Sequence, residues 1–312
     1  MNTKSVYSLF LFIVSLILSA CTPKNKVKHG GEKDLISFKP VLKTSYTEVS
    51  RRFSNGLSFN EFGYQMEPQW RLRFVSDDSA SLYSPEKHRF INFPLTRGYD
   101  SIFNVARTWL KVRKMNSDSL VFELLKAYGD TIETKGVKTY MTFYADNYIK
   151  NALHSDTGLL KRPSRKDSLY ITSLAELPNS DSSKAFPARH PASFSSKSHL
   201  ITLKTHKVEG NFFNHFDTAE DYLSPILYIT VHKAYADFYY SFSVLVDEKG
   251  QVHYGEPLIP FTDENYKKNY VHSSKAVLDS YLKLYLRAVP GRTLGLAHAS
   301  IVSVHVEGKT GA

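Results

Sequence analysis

The sequence predicts an α+β protein: an N-terminal antiparallel β-meander, closed as a barrel or stacked as a sandwich, plus a smaller C-terminal α+β domain. Three observations carry that prediction. Residues 35–150 hold short runs alternating apolar and polar side chains between turn signals. Residues 151–198 lose this periodicity and become rich in Ser and Pro. Residues 199–312 then give strand, hairpin, helix and strand in succession, a compact α+β order.

Within the first region, "WRLRFVS" sets Trp70, Leu72 and Phe74 against Arg71 and Arg73, the period-2 signature of a half-buried strand. "TWLKVRK" and "SLVFELLKA" are two further strands, separated by a turn at Asn116-Ser117-Asp118. "KTYMTFYA" follows turn signals around Gly129-Asp130 and Gly136. Frequent aromatic and β-branched residues suit pleated surfaces. Consecutive short strands with tight turns imply a meander. The stretch "NSDSSKAFPARHPASFSSKS" reads as an extended connection and marks a domain boundary.

In the C-terminal region Phe238, Tyr240, Phe242, Val244 and Val246 share one strand face. Asp247-Glu248-Lys249-Gly250 turns the chain, and Gln251 to Tyr254 return. "SSKAVLDSYLKLYLRAVPG" reads as a helix capped by Ser273 or Ser274. Val277, Tyr281, Tyr285 and Ala288 form part of its buried stripe, and Pro290-Gly291 stops it. Val302, Val304 and Val306 alternate in a last strand. This order, with "SVLVDEKGQV" ahead of the helix, resembles the C-terminal domain of TonB-type proteins over about 75 residues. The resemblance implies a small periplasmic domain that recognises partners by pairing strands at a sheet edge. A membrane-spanning helix and a long Pro-rich spacer, which that family carries, are missing from the pattern.

The front of the chain speaks to location. Lys4 precedes an apolar run from about Val6 to Leu18, and the small residues Ser19 and Ala20 follow. That is the layout of a secretory signal peptide over residues 1–20, and the run is shorter than the ~20 residues a spanning helix needs. Leu18-Ser19-Ala20-Cys21 resembles the lipobox of bacterial lipoproteins. The resemblance implies cleavage between Ala20 and Cys21, and acyl chains on the Cys21 sulfur and the new amino terminus. Two or three chains hold a membrane stably where one does so marginally. Cys21 is the single cysteine of the chain, so no disulfide staples the mature protein and stability rests on its core.

Residues 21–34 form a basic tether with Lys24, Lys26, Lys28 and Lys33, loosened by Pro23, Gly30 and Gly31. The formal net charge is +10, and lysines beside a membrane are drawn to anionic headgroups. An exported chain has little access to nucleic acid, so no nucleic-acid partner is expected. Thr22, not Asp, follows the cysteine, which by the same resemblance permits transfer to an outer membrane, facing the periplasm.

Motifs that carry chemistry fail on inspection. Twelve histidines show no His-Glu-x-x-His, and His190, His199, His206 and His215 lack ligand spacing. Ser84-Pro85-Glu86-Lys87 and Lys309-Thr310-Gly311 match two marks of penicillin-recognising enzymes in spacing but not in context. Asp77-Asp78 and Glu220-Asp221 are adjacent in sequence, so their side chains diverge and read as turn or cap residues. No catalytic, metal or cofactor-binding residue is assigned. The expectation is a lipid-anchored envelope protein that binds or scaffolds a protein partner, its 20 tyrosines suiting an interface. One alternative is a lipocalin-like carrier of a small apolar molecule, since an early tryptophan strand before a meander looks faintly like those barrels. Another is an envelope polymer hydrolase with a carboxylate- or histidine-lined cleft. A carrier needs a cavity on its inward face and a scaffold a filled core.

Overall fold

The computed structural model describes residues 35–128, 131–133, 136–179, 181–206 and 220–311. Ala20, Cys21, the tether and His215 lie outside the described residues.

The alternating runs become nine strands: β1 (Ser45–Phe53), β2 (Arg71–Ser76), β3 (Ser79–Ser84), β4 (Arg89–Arg97), β5 (Ile102–Val105), β6 (Thr108–Met115), β7 (Ser119–Tyr128), β8 (Thr131–Glu133) and β9 (Thr139–Ala145). Each pairs antiparallel with its neighbour, β9 returns to β1, and β6 pairs β7. The ring therefore closes as an eight-stranded barrel, with β8 forming a hairpin on the end of β7. Of the two closures that the sequence allows, the barrel is the one formed. Bulges at Glu48/Ser50, Phe74/Ser76 and Val112/Lys114 accommodate the curvature.

The interior is aromatic. Phe38 stacks on Phe74 at 4.1 Å, Phe103 meets Phe38 edge-on at 5.0 Å, and Phe122 lies 5.2 Å from Phe103 and 5.4 Å from Phe143. All five rings are fully buried, among Tyr46, Leu72, Leu82, Leu110 and Leu120. Phe38 comes from the segment before β1, a 3₁₀ turn at Lys39–Val41 that carries Val41 into the same core. It seals the end of the barrel where β2 turns into β3. There Ser37 Oγ and the Phe38 N–H donate to the Asp77 carboxylate, the latter at 2.6 Å.

Residues 151–198, read from sequence as a Ser- and Pro-rich connection, contain a regular helix at Arg165–Glu176 and a short strand, β10 (Ser193–Ser196). The helix turns its sparse apolar side, Ile171 and half-buried Leu174, towards the barrel.

The remaining strands are β11 (Ile201–Thr205), β12 (Ile226–His232), β13 (Phe238–Val246), β14 (Val252–Pro257), β15 (Leu286–Val289), β16 (Arg292–Thr293), β17 (Leu296–Ala297) and β18 (Ser300–Lys309). Five of them form a sheet in the order β11-β12-β18-β13-β14, with β12 and β18 parallel and the other pairs antiparallel. Val244, Val246, Val302, Val304 and Val306 are buried on one face beneath Val277, Leu278 and Leu282 of the C-terminal helix.

Two details of that helix correct the sequence reading. It starts at Glu264, with the Asp263 carboxylate accepting from Tyr266 N at 2.6 Å. Ser274, expected as a cap, is buried mid-helix and donates to Tyr270 O. The first turns, "ENYKKNYVH", bury little besides Tyr270 and so show no apolar period. The helix passes through a π-turn at Leu278–Leu282 and ends at Tyr285. Ala288, expected on its stripe, belongs instead to β15, which pairs with β10.

Candidate ligand site at the barrel mouth

The end of the barrel opposite Phe38 is left open by its side chains and roofed by two segments. One is the loop 54–66 after β1. Its shape is set by short bonds within itself: the Asn55 side chain accepts from Leu57 N, and that of Asn60 accepts from Phe62 N and Tyr64 N. Gly63, at φ +77°, lets the loop pass Phe186; a Cβ there would come within 2.7 Å of that ring.

The other roof is the helix Arg165–Glu176. Ser164 and Asp167 form its capping box. The Asp167 carboxylate is fully buried and accepts from Arg52 Nη1 at 2.6 Å, Ser58 N at 2.7 Å and Ser164 N at 2.8 Å. Burial alone would raise its pKa. The bonds from Ser58, Arg52 and Ser164 outweigh that and hold it below the usual carboxylate range. One carboxylate thus ties β1, the loop and the helix together. Lys166 Nζ donates to Asn55 O, and Tyr170 Oη to Asn60 O.

Between these roofs and the β7–β8 hairpin lies a cavity of about 610 Å³. Leu57, Phe59, Met66, Leu124, Val137 and Tyr170 give its apolar lining. Glu61, Lys126, Glu133 and Lys138 stand on its rim, and Glu123 is held beside it by Arg113 and by Lys138 at 3.9 Å. Such an arrangement can take up an apolar body and set charges around a polar end.

Behind the roof the barrel meets the C-terminal sheet. Phe59, Ile171 and Phe186 form a small core that Leu294 joins. Arg189 pairs with Glu67 through two bonds of 2.9 and 2.8 Å, and Gln65 N donates to Tyr222 Oη. His298 is buried under Phe186, ring against ring at 3.8 Å. Its Nδ1 donates to Ala299 O, since a carbonyl only accepts, leaving Nε2 to accept from the Thr293 hydroxyl at 2.9 Å. Thr293 Oγ1 in turn accepts from Arg189 N. Burial pushes the His298 pKa down.

Comparison with protein-family models, curated proteins and solved structures gives no match for this chain. The site therefore stands on its own geometry.

Residues singled out in the sequence are not brought together. Ser84 ends β3 fully buried, its Oγ accepting from Lys87 N, whereas Lys309 ends β18 in the other sheet and Thr310 bonds Asp237. Asp77 and Asp78 flank Arg97 at a turn. His190 bridges Arg292, and the His206 ring lies 6.5 Å from Tyr228. Glu220 and Asp221 sit in a short helical turn. Among the described residues no group of three His, Cys, Asp or Glu side chains could hold a metal ion, and no helix is long and apolar enough to cross a membrane. Asp167 was missed, although the spacing Ser164-x-x-Asp167 is itself a capping-box signal. Nothing in the sequence spacing links it to Arg52, more than a hundred residues away.

Proposed function

We propose that the chain is a cell-envelope binding protein, cleaved between Ala20 and Cys21 and held by lipid on Cys21, whose barrel mouth takes up a small apolar molecule. The observation that carries the reading is the roofed cavity at one end of a barrel otherwise packed solid with phenylalanine. Its volume falls in the range of small-molecule sites, about 300–1,000 Å³, and barrel mouths are a common place for them. The filled interior is what a scaffold would show, so the carrier reading rests on the mouth cavity alone, beside Leu57 and Phe59.

The test is titration of the protein with an apolar fluorescent probe such as anilinonaphthalene sulfonate. Leu124→Trp should fill the cavity and weaken binding at least tenfold, while Ile301→Trp, on the other sheet, should leave it unchanged. Equal binding by both variants would sink the mouth as the site.

A protein partner is the second reading, favoured by β14. Among the described residues it pairs with β13 alone, and exposed His253, Gly255 and Glu256 line a groove of about 770 Å³ along it. An extended segment could add there as a further strand. Envelope polymer hydrolysis draws no support from the junction, where His298 is sealed beneath Phe186.

A further inference from the structure

The outer face of β2, β3 and β4 gathers cations and rings. Arg73 stands beside Ser81 and Asn92 across the ladder, and Tyr83 pairs with Phe90. The Arg71 guanidinium lies 5.1 Å from the Tyr83 ring centre and 5.8 Å from that of Phe90, and Arg73 lies 4.7 Å from Phe90. Arg71 also pairs with Asp146 at 3.3 Å. Arg73 is exposed, and no carboxylate among the described residues pairs with it. Lys87 is exposed on the β3–β4 turn, Arg89 at the start of β4, and Val75 along β2.

The place where the chain enters bears on this face. Asp77, at the β2–β3 turn, holds Ser37 and Phe38, and Arg97 Nη1 donates to Ile36 O. Residues 21–34 can extend at most about 50 Å from that point. Arg73 is four residues up β2 from Asp77, roughly 13 Å along the strand. A chain anchored at Cys21 therefore keeps this face within reach of its own membrane.

We infer that the Arg71–Arg73–Phe90 flank of the barrel docks on anionic phospholipid headgroups. Guanidinium forks match phosphate oxygens bidentately, and an exposed cation loses little water in doing so. Tyr83 supplies the amphipathic ring favoured at a membrane–water boundary, with the apolar Phe90 ring beside it. Arg73, stacked on Phe90, supplies charge that no carboxylate among the described residues pairs with. Docking by this flank lays the barrel along the membrane and leaves its mouth opening sideways. The inference rests on the lipid-anchored reading for its setting.

The experiment floats vesicles with the chain from residue 22 onward, which carries every described element and both tether and flank. Vesicles are phosphatidylcholine alone or with three parts in ten phosphatidylglycerol. Binding is expected on the anionic vesicles only. Arg73→Glu with Arg89→Glu should lower it at least tenfold, on the scale of attraction per basic residue at such a surface. Lys249→Glu with Lys268→Glu, the same charge change on the β13–β14 turn and the C-terminal helix, should lower it no more than twofold. Arg73→Gln with Arg89→Gln, gentler on the fold, should fall between.

Equal losses in both charge-reversed pairs would overturn the flank in favour of net charge. So would binding to neutral vesicles, or its abolition by millimolar inorganic phosphate, which would make a soluble anion the occupant. The mass of Cys21 in the native chain tests anchoring separately: an unmodified thiol sinks the anchor and leaves the vesicle result standing.

Discussion

The barrel and the C-terminal sheet bury their strands by opposite means. The barrel pairs β1 with β9 and β6 with β7, so its ring has no free edge. What it must fill is a void, and five phenylalanines fill it. Among the described residues the sheet keeps two edges, β11 and β14, and one face that needs a cover. Its core is a row of valines under one helix, flat enough for the helix to lie close. Closure demands large side chains and gives solvent-facing flanks; an open sheet works with small ones and leaves edges available. Among the described residues the two halves meet through Arg189 with Glu67, Gln65 with Tyr222, Phe186 with His298, and the small core around Ile171.

The largest effect should separate the two cores. Phe122→Ala removes a ring that packs against three others and should cost about 3–5 kcal/mol. Val304→Ala should cost about 2 kcal/mol. Hydrogen exchange read segment by segment is expected to show each substitution loosening its own half more than the other. Equal loosening everywhere would mean that barrel and sheet unfold as one unit, and the comparison would fail.

Next comes the tie between barrel and roof. Arg52→Leu leaves the Asp167 carboxylate buried without its cation and should cost about 2–3 kcal/mol, somewhat under a fully buried pair because Arg52 is partly exposed. The helix Arg165–Glu176 should lose exchange protection before the barrel does. Because the folded pKa of Asp167 is depressed, its contribution is present above the ordinary carboxylate value of about 3.9 and lost as pH falls through the folded value. Asp167→Asn should flatten that acid dependence; an unchanged acid limb would remove Asp167 as its source.

The smallest effect concerns the junction. His298 is neutral when folded and has a depressed pKa, so its contribution is full above the unfolded value of about 6.5 and lost as pH falls below it. The melting temperature should drop between pH 7.5 and 5, and drop less in His298→Gln. Parallel curves would show that other groups carry the acid sensitivity.

The two halves also differ in how much of them could be read beforehand. Barrel strands such as β2 and β9 alternate cleanly because one side faces packed rings and the other water. Closure itself was not legible, since it depends on β9 finding β1 about ninety residues back. The C-terminal strands were equally plain, but the helix was entered ten residues late, its first turns burying only Tyr270. For the site the gap is wider. Leu57, Leu124 and Tyr170 come from three distant stretches, and a cavity is a property of their convergence. Asp167 sits in a polar run whose burial depends on Arg52 arriving from another element.

The position of β18 has a consequence for how the chain assembles. It occupies the middle of its sheet, between β12 and β13, yet both neighbours precede it in the chain. During synthesis the barrel, complete at Ala145, can close while the rest is still emerging. The sheet cannot: until Ser300–Lys309 arrives, β12 and β13 have no central strand to pair with, and their valines stay uncovered. That interval is when this protein is most exposed to aggregation and to proteases, and it would be shortened by anything that holds β12 and β13 apart until the last strand inserts.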